Sequence, residues 1–553
     1  MNTRIKLSFL SVLVMASTVI THAQSPDKKA MSAEFDKLLS AQFKPGETGC
    51  AALVAIKGQI VYKKAFGMAN LELNVPMQPD MVFRIGSITK QFTAIAFLQL
   101  MEQGKLSLQD DITKFIPDYP TQAYKITIEN LLTHTSGIKS YTDGPEFMKF
   151  IKDDLKPEEL IDKFKNLPME FAPGTKWNYS NSGFFLLGYI IEKVTGMKYQ
   201  DYIEQNLFKP AGMTNSLYGS DRKIIKNRAY PYQTDDDNIV NADYMSMLLP
   251  YSAGALMSTV EDLYKWNHAL LSDKFVKRET LEKAWTEYKL SDGKGTHYGY
   301  GWFLSQVQGS PSIEHGGGIN GYLTNGIYLP KEDVFVAVFS NNTAKGPATV
   351  STKMAAIAVG KPYTHTETPV PAEMIDQYPG VYEEESGSQR MITKEGTELF
   401  SQRSGGPKIK IKQFAKDKFF FDDYFTILTF HRDASGNITG VDADDRGEIT
   451  SYKKTDKPIP LHSEIKLSPD VLVNYTGEFE LSPGFVIAVT VEGDRIFTQA
   501  TGQGKVEIFP ESETKFFLKV VDAQLDFVKD ESGKFNKVIL HQGGRDIEGK
   551  RVK

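Results

Sequence analysis

The sequence predicts an α+β domain over residues 24–360, followed by two small antiparallel β-barrel-like domains. Three observations support this architecture. The length of 553 residues exceeds what one hydrophobic core usually serves, so two or three domains are expected. The first part of the chain mixes strand-like and helical runs, and the last part contains an internal repeat of short strands.

The overall composition is that of a globular protein without a nucleic-acid footprint. Hydrophobic residues make up 41% of the chain and aromatic residues 11%, which allows a sizeable core. The net charge of -5 provides no basic surface for phosphate backbones. We therefore expect no nucleic-acid partner.

The first residues have the pattern of an export signal. Arg4 and Lys6 precede an apolar stretch over 7–20 and a Thr-His-Ala cleavage site. We predict a signal peptide over 1–23, a mature chain that begins at Gln24, and a periplasmic or secreted location in a bacterium. The alternative is an N-terminal anchor, but this stretch falls short of the roughly 20 residues that span a bilayer. No later segment approaches that length without charges, so no membrane span is expected after cleavage.

The predicted α+β domain contains short strands and one strongly apolar helix. The runs 51–56 and 59–63 predict strands, and the run 87–102 predicts a helix. This helix is apolar nearly all round and ends near Gly104, as expected for a helix buried within a domain.

A linker and an internal repeat follow. The proline-rich, polar segment 361–374 is typical of a linker between domains. The regions 375–458 and 467–553 then share residues at a constant offset of 97 positions. Matching pairs include Tyr378 and Tyr475, Phe419 and Phe516, Phe430 and Phe527, and Gly436 and Gly533.

Both copies of the repeat predict antiparallel sheets. Alternating runs at 425–430 and 524–528 are each followed by an Asp-x-Ser-Gly turn and another strand. Closure into a barrel would remove the exposed sheet edges. No residue of the repeats identifies a catalytic or ligand role, so a structural spacer and a cell-wall binding module are both open interpretations.

The first candidate for chemistry is the pair Ser87 and Lys90 at the start of the apolar helix. Residues three apart share a helix face, so the amine can reach the hydroxyl, and burial would favour a neutral lysine that accepts its proton. The helix N-terminus also offers N–H groups to an oxyanion. The Ser-x-x-Lys pattern recurs seven other times, always in polar stretches, so alone it is a weak signal.

The second candidate is the pair Tyr179 and Asn181. Among the 25 tyrosines, only Tyr179 is followed two residues later by asparagine. A phenol near the serine can transfer protons if cations such as Lys90 depress its pKa, and the Asn181 amide can bind a substrate amide. The alternative is a buried tyrosine whose hydroxyl is satisfied.

The third candidate is the glycine-rich run that includes His315, Gly317 and Gly318. A strand edge without side chains can pair with a substrate amide, and Gly318 can lend its N–H to an oxyanion. A plain hairpin turn is the alternative.

Together, these elements resemble the serine β-lactamase and penicillin-binding protein superfamily, and the class C branch in particular. That branch includes D-aminopeptidases, D-alanyl-D-alanine carboxypeptidases and carboxylesterases. Further stretches that resemble it begin at Leu131, Ala172 and Ser252. The resemblance covers residues 35–355 and implies a β-lactamase/transpeptidase-like domain, in which an antiparallel sheet is flanked by helices.

The resemblance also implies roles for the candidate residues. Ser87 attacks, Lys90 and Tyr179 manage protons, Asn181 contacts substrate, and the N–H groups of Ser87 and Gly318 bind the oxyanion. The loop around the histidine at position 134 is expected to be structural. Some members carry C-terminal lipocalin-like barrels that restrict access or support oligomers, and the repeat resembles two of these.

One departure shapes the functional prediction. His315 stands where lactam-binding members carry the lysine of Lys-Thr-Gly, and a mostly neutral histidine is a poorer partner for a substrate carboxylate. We therefore predict an exported hydrolase of small peptide, ester or peptidoglycan-derived substrates, such as a D-amino-acid peptidase, carboxypeptidase or esterase. The alternatives are a class C β-lactamase or penicillin-binding protein, and a non-catalytic sensor or lipid-binding protein. No metal-ligand or phosphate-binding motif is present in the sequence, so no cofactor is expected.

Overall fold

The computed structural model describes residues 28–235, 238–460, 462 and 464–553. The predicted signal peptide over 1–23 lies outside these residues. The described residues form an N-terminal domain of helices and antiparallel sheets, which is followed by two closed barrels. This is the architecture that the sequence predicts.

The first domain is built on a six-stranded antiparallel sheet. The described strands of this domain, in the central sheet and in three smaller sheets, are β1 (Cys50–Ile56), β2 (Gln59–Phe66), β3 (Met68–Asn70), β4 (Val75–Pro76), β5 (Phe83–Arg84), β6 (Leu217–Tyr218), β7 (Tyr232–Asp235), β8 (Asn238–Asn241), β9 (Leu256–Ser258), β10 (Phe303–Val307), β11 (Ser310–Ile319), β12 (Tyr322–Leu329) and β13 (Val334–Ser340). The central sheet has the order β10-β11-β12-β13-β1-β2. The strands β1 and β13 are buried on both faces, which explains their continuous apolar sequences. The strands predicted at 51–56 and 59–63 are confirmed by β1 and β2.

Helices cover both faces of this sheet. They are α1 (Lys28–Gln42), α2 (Thr89–Glu102), α3 (Ile128–Leu132), α4 (Glu146–Phe150), α5 (Pro157–Phe164), α6 (Asn181–Thr195), α7 (Tyr199–Ile203), α8 (Lys209–Ala211), α9 (Tyr251–Gly254), α10 (Val260–Leu270), α11 (Arg278–Ala284) and α12 (Ala348–Ala358). One core lies between the sheet, α1 and α12, and a larger core on the opposite face contains α2, α6 and α10. None of the helices in the described part of the chain is long and apolar enough to cross a membrane.

The apolar helix that the sequence predicts over 87–102 begins with a tighter turn. Gly86–Ile88 is a 3₁₀ turn, and the α-helical part is α2. Eleven side chains of α2 are buried, so packing rather than an amphipathic face stabilises it. The chain leaves the helix at Gly104, whose φ of 70° is the left-handed conformation that glycine adopts most easily.

The two copies of the repeat form two closed barrels of eight antiparallel strands. After a short helix α13 (Ala372–Ile375), the first barrel contains β14 (Gly380–Glu383), β15 (Gln389–Glu395), β16 (Glu398–Arg403), β17 (Lys408–Ala415), β18 (Lys418–Phe420), β19 (Ile427–Arg432), β20 (Ile438–Asp445) and β21 (Glu448–Lys454). After α14 (Pro469–Leu472), the second contains β22 (Gly477–Ser482), β23 (Phe485–Glu492), β24 (Arg495–Ala500), β25 (Val506–Pro510), β26 (Lys515–Leu518), β27 (Ala523–Lys529), β28 (Phe535–Gln542) and β29 (Arg545–Arg551). Each barrel has its own apolar core.

The first barrel contacts the central sheet of the first domain through the turn between β20 and β21. The guanidinium of Arg446 lies 2.9 Å from a carboxylate oxygen of Glu314 on β11, and both side chains are mostly buried. Arg446 Nε also donates to the carbonyl of Gln306, and its own carbonyl accepts a hydrogen bond from Ser305. The turn therefore covers the outer edge of β10. Its contact residue on β11, Glu314, directly precedes His315 in the sequence.

Candidate active site

Ser87 lies where the 3₁₀ turn before α2 meets strand β11. Gly86, the preceding residue, has a φ of 52° and packs directly on β11, because a Cβ at this position would lie 2.9 Å from the Gly318 nitrogen. The tight approach requires glycine at position 86. It also brings the Ser87 hydroxyl and the backbone of Gly318 to the same end of the helix.

Lys90 is buried completely and contacts three oxygen atoms. Its Nζ lies 3.1 Å from Ser87 Oγ, 2.8 Å from Asn181 Oδ1 and 2.9 Å from the carbonyl oxygen of Ala253. None of the ion pairs among residues 28–235, 238–460, 462 and 464–553 involves Lys90. Burial therefore holds the pKa of Lys90 well below its usual range, as the sequence predicts.

This arrangement suits a neutral amine. A neutral lysine has two N–H donors and one lone pair, and the Asn181 and Ala253 oxygens can only accept. With both hydrogens directed to those oxygens, the lone pair faces the Ser87 hydroxyl. Lys90 can then take the proton of Ser87 directly.

Tyr179 completes the group around the serine. Its hydroxyl hydrogen-bonds Ser87, and the Lys90 ammonium position lies 4.7 Å from the centre of its ring. The expected depression of the Tyr179 pKa by nearby cations is wrong for this structure. Burial raises the pKa of Tyr179 instead, because desolvation of the phenolate outweighs the opposing effect of the Ser87 side chain. These two pKa directions favour Tyr179 as a proton donor and Lys90 as the base, and both roles stay predictions.

The hydrogen-bonding groups of Asn181 are already bonded to other residues of the protein. Its amide oxygen accepts from Lys90, its amide nitrogen donates to Thr142 at 3.0 Å, and its backbone N–H donates to Ser140 at 3.1 Å. These bonds fix the Asn181 side chain and use its carbonyl to orient the lysine. Its role as a substrate contact stays a prediction.

The glycine-rich part of β11 leaves an open strand edge beside Ser87. Strand β10 pairs with β11 only from Ser310 to Glu314, and no strand in the described part of the chain pairs with that edge at 316–319. Gly317 is required here, because its Cβ would lie 1.9 Å from the carbonyl oxygen of Ile85. Gly318 is exposed. This free edge can accept an extended substrate backbone.

His315 is buried, and both of its ring nitrogens are occupied. Nδ1 lies 2.6 Å from the carbonyl oxygen of Gly316, so Nδ1 carries the hydrogen, and Nε2 accepts from the Tyr298 hydroxyl at 3.0 Å. Burial lowers the pKa of His315 to about 3, so the ring is neutral near pH 7. In this structure the ring offers no free N–H to a substrate, and its predicted contact with substrate stays a prediction.

Sequence reasoning assigned no role at the site to several residues that lie around Tyr179 and Lys90. An aromatic wall of His134, Trp177, Tyr298 and Phe303 surrounds Tyr179, with the His134 ring 4.2 Å from it and Phe303 stacked 6.5 Å away. The backbone carbonyl of Ala253 accepts a hydrogen bond from Lys90 Nζ. Backbone carbonyls carry no sequence signal, although the Ser-Ala-Gly stretch around residue 253 resembles the family pattern.

Comparison with known proteins agrees with this geometry. A family model described as Beta-lactamase matches residues 35–361, which is more than half of the chain. The chain belongs to the beta-lactamase family. A second model, a domain of unknown function (DUF3471), matches residues 461–551, the region of the second barrel. The predicted superfamily is therefore confirmed, and the resemblance of the barrels to lipocalins stays a prediction.

Three proteins illustrate what this member of the beta-lactamase family is similar to. Penicillin-binding protein 4* of Bacillus subtilis (strain 168) is 26% identical over 521 residues, which covers 91% of this chain and 94% of that protein. The octameric penicillin-binding protein homologue from Pyrococcus abyssi has a TM-score of 0.54 and 26% identity, and covers 77% of this chain and 100% of that one. The D-stereospecific amidohydrolase from Streptomyces sp. has a TM-score of 0.52 and 27% identity, and covers 58% and 97%. The protein is a serine hydrolase of the β-lactamase and penicillin-binding protein type.

Proposed function

We propose that this serine hydrolase is exported and cleaves small amides or esters, most suitably those with a D-amino-acid residue, through an acyl-enzyme on Ser87. The observation that carries the proposal is the buried Lys90, whose Nζ lies 3.1 Å from Ser87 Oγ and pairs with no carboxylate in the described ranges. Export is supported by the pattern of residues 1–23. The D-amino-acid preference is supported by the similarity to the Streptomyces amidohydrolase.

Acylation follows from the geometry. The Ser87 proton moves to Lys90 Nζ while Oγ attacks the substrate carbonyl carbon. The resulting oxyanion accepts hydrogen bonds from the N–H groups of Ser87 and Gly318, which the 3₁₀ turn and β11 bring together. The C–N or C–O bond then breaks, and the leaving group takes a proton from the Tyr179 hydroxyl, which Lys90 replenishes. Water repeats the attack on the acyl-enzyme and regenerates Ser87.

The charge of the site favours neutral substrates over lactams. A β-lactam carries a carboxylate that lactam-binding relatives meet with a lysine, but here His315 stands at that position and is neutral and buried. Aromatic side chains form the wall beside Tyr179 instead, including Trp177 and Phe303. An apolar or aromatic group next to the scissile bond would pack well against this wall.

The deciding experiment measures turnover and covalent adducts together. The mature protein and Ser87→Ala are incubated with p-nitrophenyl esters, nitrocefin, and the anilides of D- and L-amino acids, and intact mass is recorded. We expect serine-dependent turnover with a transient adduct, and faster cleavage of D- than of L-anilides. A stable adduct without turnover would indicate a sensor. Turnover that survives in Ser87→Ala, or neither turnover nor an adduct with any substrate, would contradict the proposal.

A further inference from the structure

The first barrel contains a buried arginine that pairs with no carboxylate of the residues that the structure describes. Arg390 on β15 is 5% exposed and points inward, because it lies two residues before the core residue Ile392. Its Nη1 donates to Ser401 Oγ at 2.8 Å, and its guanidinium lies 5.1 Å from the ring centre of Tyr452. Its Nε is buried and has no hydrogen-bond partner among the residues that the structure describes.

The charge around this arginine is uncompensated. Within the described ranges, no ion pair includes Arg390 or its neighbour Arg403 on β16. The charge of Arg403 adds to the effect of burial in lowering the pKa of Arg390. An arginine nevertheless keeps its proton at neutral pH, so a positive charge is held inside the barrel. A buried charge without a partner is costly, and it is retained where something pairs with it.

An open space lies next to the guanidinium. A cavity of about 370 Å³ is lined by polar side chains, among them Arg390, Arg403 and Ser401, and by the apolar side chains of Phe421 and Ile409. This volume is enough for a small organic molecule. Asp445 also lines the cavity, but its charge acts on Arg446, whose pKa it helps to raise.

The second barrel shows that the fold does not require this arginine. At the constant offset of 97 positions, Arg390 corresponds to Ile487 and Arg403 to Ala500. Tyr452 corresponds to Gly549, where Leu481 fills the space, since a Cβ at Gly549 would lie 2.8 Å from Leu481 Cδ1. The same barrel position is therefore apolar and filled in one copy, and cationic beside a cavity in the other.

We propose that the first barrel binds a small organic carboxylate, with the anionic group on Arg390 and an apolar body against Phe421. A carboxylate has two oxygens that match the donor pattern of a guanidinium, and the free Nε supplies the unused donor. Arg403 adds a second positive charge at the cavity. The apolar wall selects carboxylates with a hydrocarbon part over inorganic anions.

The test uses the full mature chain and two carboxylate probes, benzoate and octanoate, with benzamide as the neutral isostere of benzoate. Titration calorimetry and thermal shift measure binding to the protein and to Arg390→Ile, which copies Ile487 of the second barrel and should therefore fold. Arg545→Ile is the matched control, because Arg545 is exposed on β29 of the second barrel.

We expect at least one of the two carboxylates to bind and raise the melting temperature, while benzamide does not. Arg390→Ile should weaken binding about tenfold or more, since it removes charge-assisted hydrogen bonds, and Arg545→Ile should bind as the wild type does. Arg390→Lys should retain part of the affinity through its charge. Failure of both carboxylates to bind, or binding that is unchanged in Arg390→Ile, overturns the proposal.

Discussion

Lys90 in the first domain and Arg390 in the first barrel are both buried basic side chains to which no carboxylate is paired in the described part of the chain. Lys90 is fully buried and Arg390 is 5% exposed, and each contacts a serine hydroxyl at 3.1 and 2.8 Å. The difference lies in their chemistry. Lysine can lose its proton under the cost of burial and become a base, whereas arginine keeps its charge and must find an anion. The same kind of environment therefore favours a base in one region and, by our proposal, an anion-binding site in the other.

Replacement of Lys90 should have the largest effect. Lys90→Arg keeps a cation next to Ser87 but cannot provide a neutral amine, so we expect kcat/KM to fall about a thousandfold, as in Lys90→Met. The rate of acylation, followed by intact mass with a p-nitrophenyl ester, should fall in parallel. The matched control is Lys294→Arg, which changes the exposed lysine of another Ser-x-x-Lys sequence and should be silent.

The activity of Lys90→Arg relative to Lys294→Arg shows whether position 90 contributes positive charge or proton acceptance. If Lys90→Arg retained more than about a tenth of the wild-type rate, positive charge rather than proton acceptance would be the contribution of this position. Another residue would then have to be the base. The proposed difference, in which Lys90 loses its proton and Arg390 keeps its charge, would be wrong.

A carboxylate placed beside Lys90 should keep the lysine protonated and so prevent it from acting as a base. Asn181→Asp puts a carboxylate where an oxygen lies 2.8 Å from Lys90 Nζ, and this opposite charge would raise the lysine pKa. The wild type needs the neutral amine, so its kcat/KM should fall only as pH drops through the depressed lysine pKa. In Asn181→Asp the same acid limb moves to higher pH, and activity near pH 7 should fall about a hundredfold.

The measurement is a pH profile of kcat/KM for both proteins. Partial recovery of Asn181→Asp at alkaline pH is the expected signature, because deprotonation restores the base. Asn181→Ala serves as the control, since it removes the hydrogen bond without adding charge and should leave the acid limb near its wild-type position. An acid limb that does not move in Asn181→Asp would show that Lys90 is not the titrating group.

The contact between the first barrel and the catalytic sheet should have an intermediate effect. Arg446→Ala leaves the carboxylate of Glu314 partly buried without its partner, and we expect a loss of about 1–3 kcal/mol in the stability of the interface. Thermal unfolding followed by calorimetry measures the loss. The double variant Arg446→Ala/Glu314→Gln should recover part of it, because the unpaired charge is gone. Equal losses in the single and double variants would contradict the ion pair as the cause.

Sequence reasoning predicted the fold and the group around Ser87 for identifiable physical reasons. The 97-residue offset and the apolar helix are local patterns, and both correspond to elements of the structure. The Tyr179 pKa and the bonds of Asn181 were not predictable, because they depend on long-range burial and on partners such as Thr142. Arg390 was not noticed, since an arginine in an alternating strand gives no signal of whether it faces the barrel interior.

The smallest expected effect comes from giving Arg390 a partner of its own. Ser401 Oγ lies 2.8 Å from Arg390 Nη1, so Ser401→Asp places a carboxylate at the guanidinium. Pairing the buried charge should stabilise the protein in the absence of ligand by about 1 kcal/mol, and the added charge should repel carboxylates from the cavity. Thermal unfolding with and without benzoate tests both effects, with Ser401→Ala as the uncharged control.

A carboxylate placed beside a buried basic side chain should have different consequences at Arg390 and at Lys90. A carboxylate beside Lys90 should lower activity near pH 7 about a hundredfold because it keeps the lysine protonated, whereas a carboxylate beside Arg390 changes no protonation state and only pairs with its charge. The melting temperature of Ser401→Asp should therefore exceed that of the wild type without ligand, and benzoate should no longer raise it. A lower melting temperature than Ser401→Ala would show that the charge of Arg390 is already satisfied in the native barrel, and the cavity would then have no need of an anion.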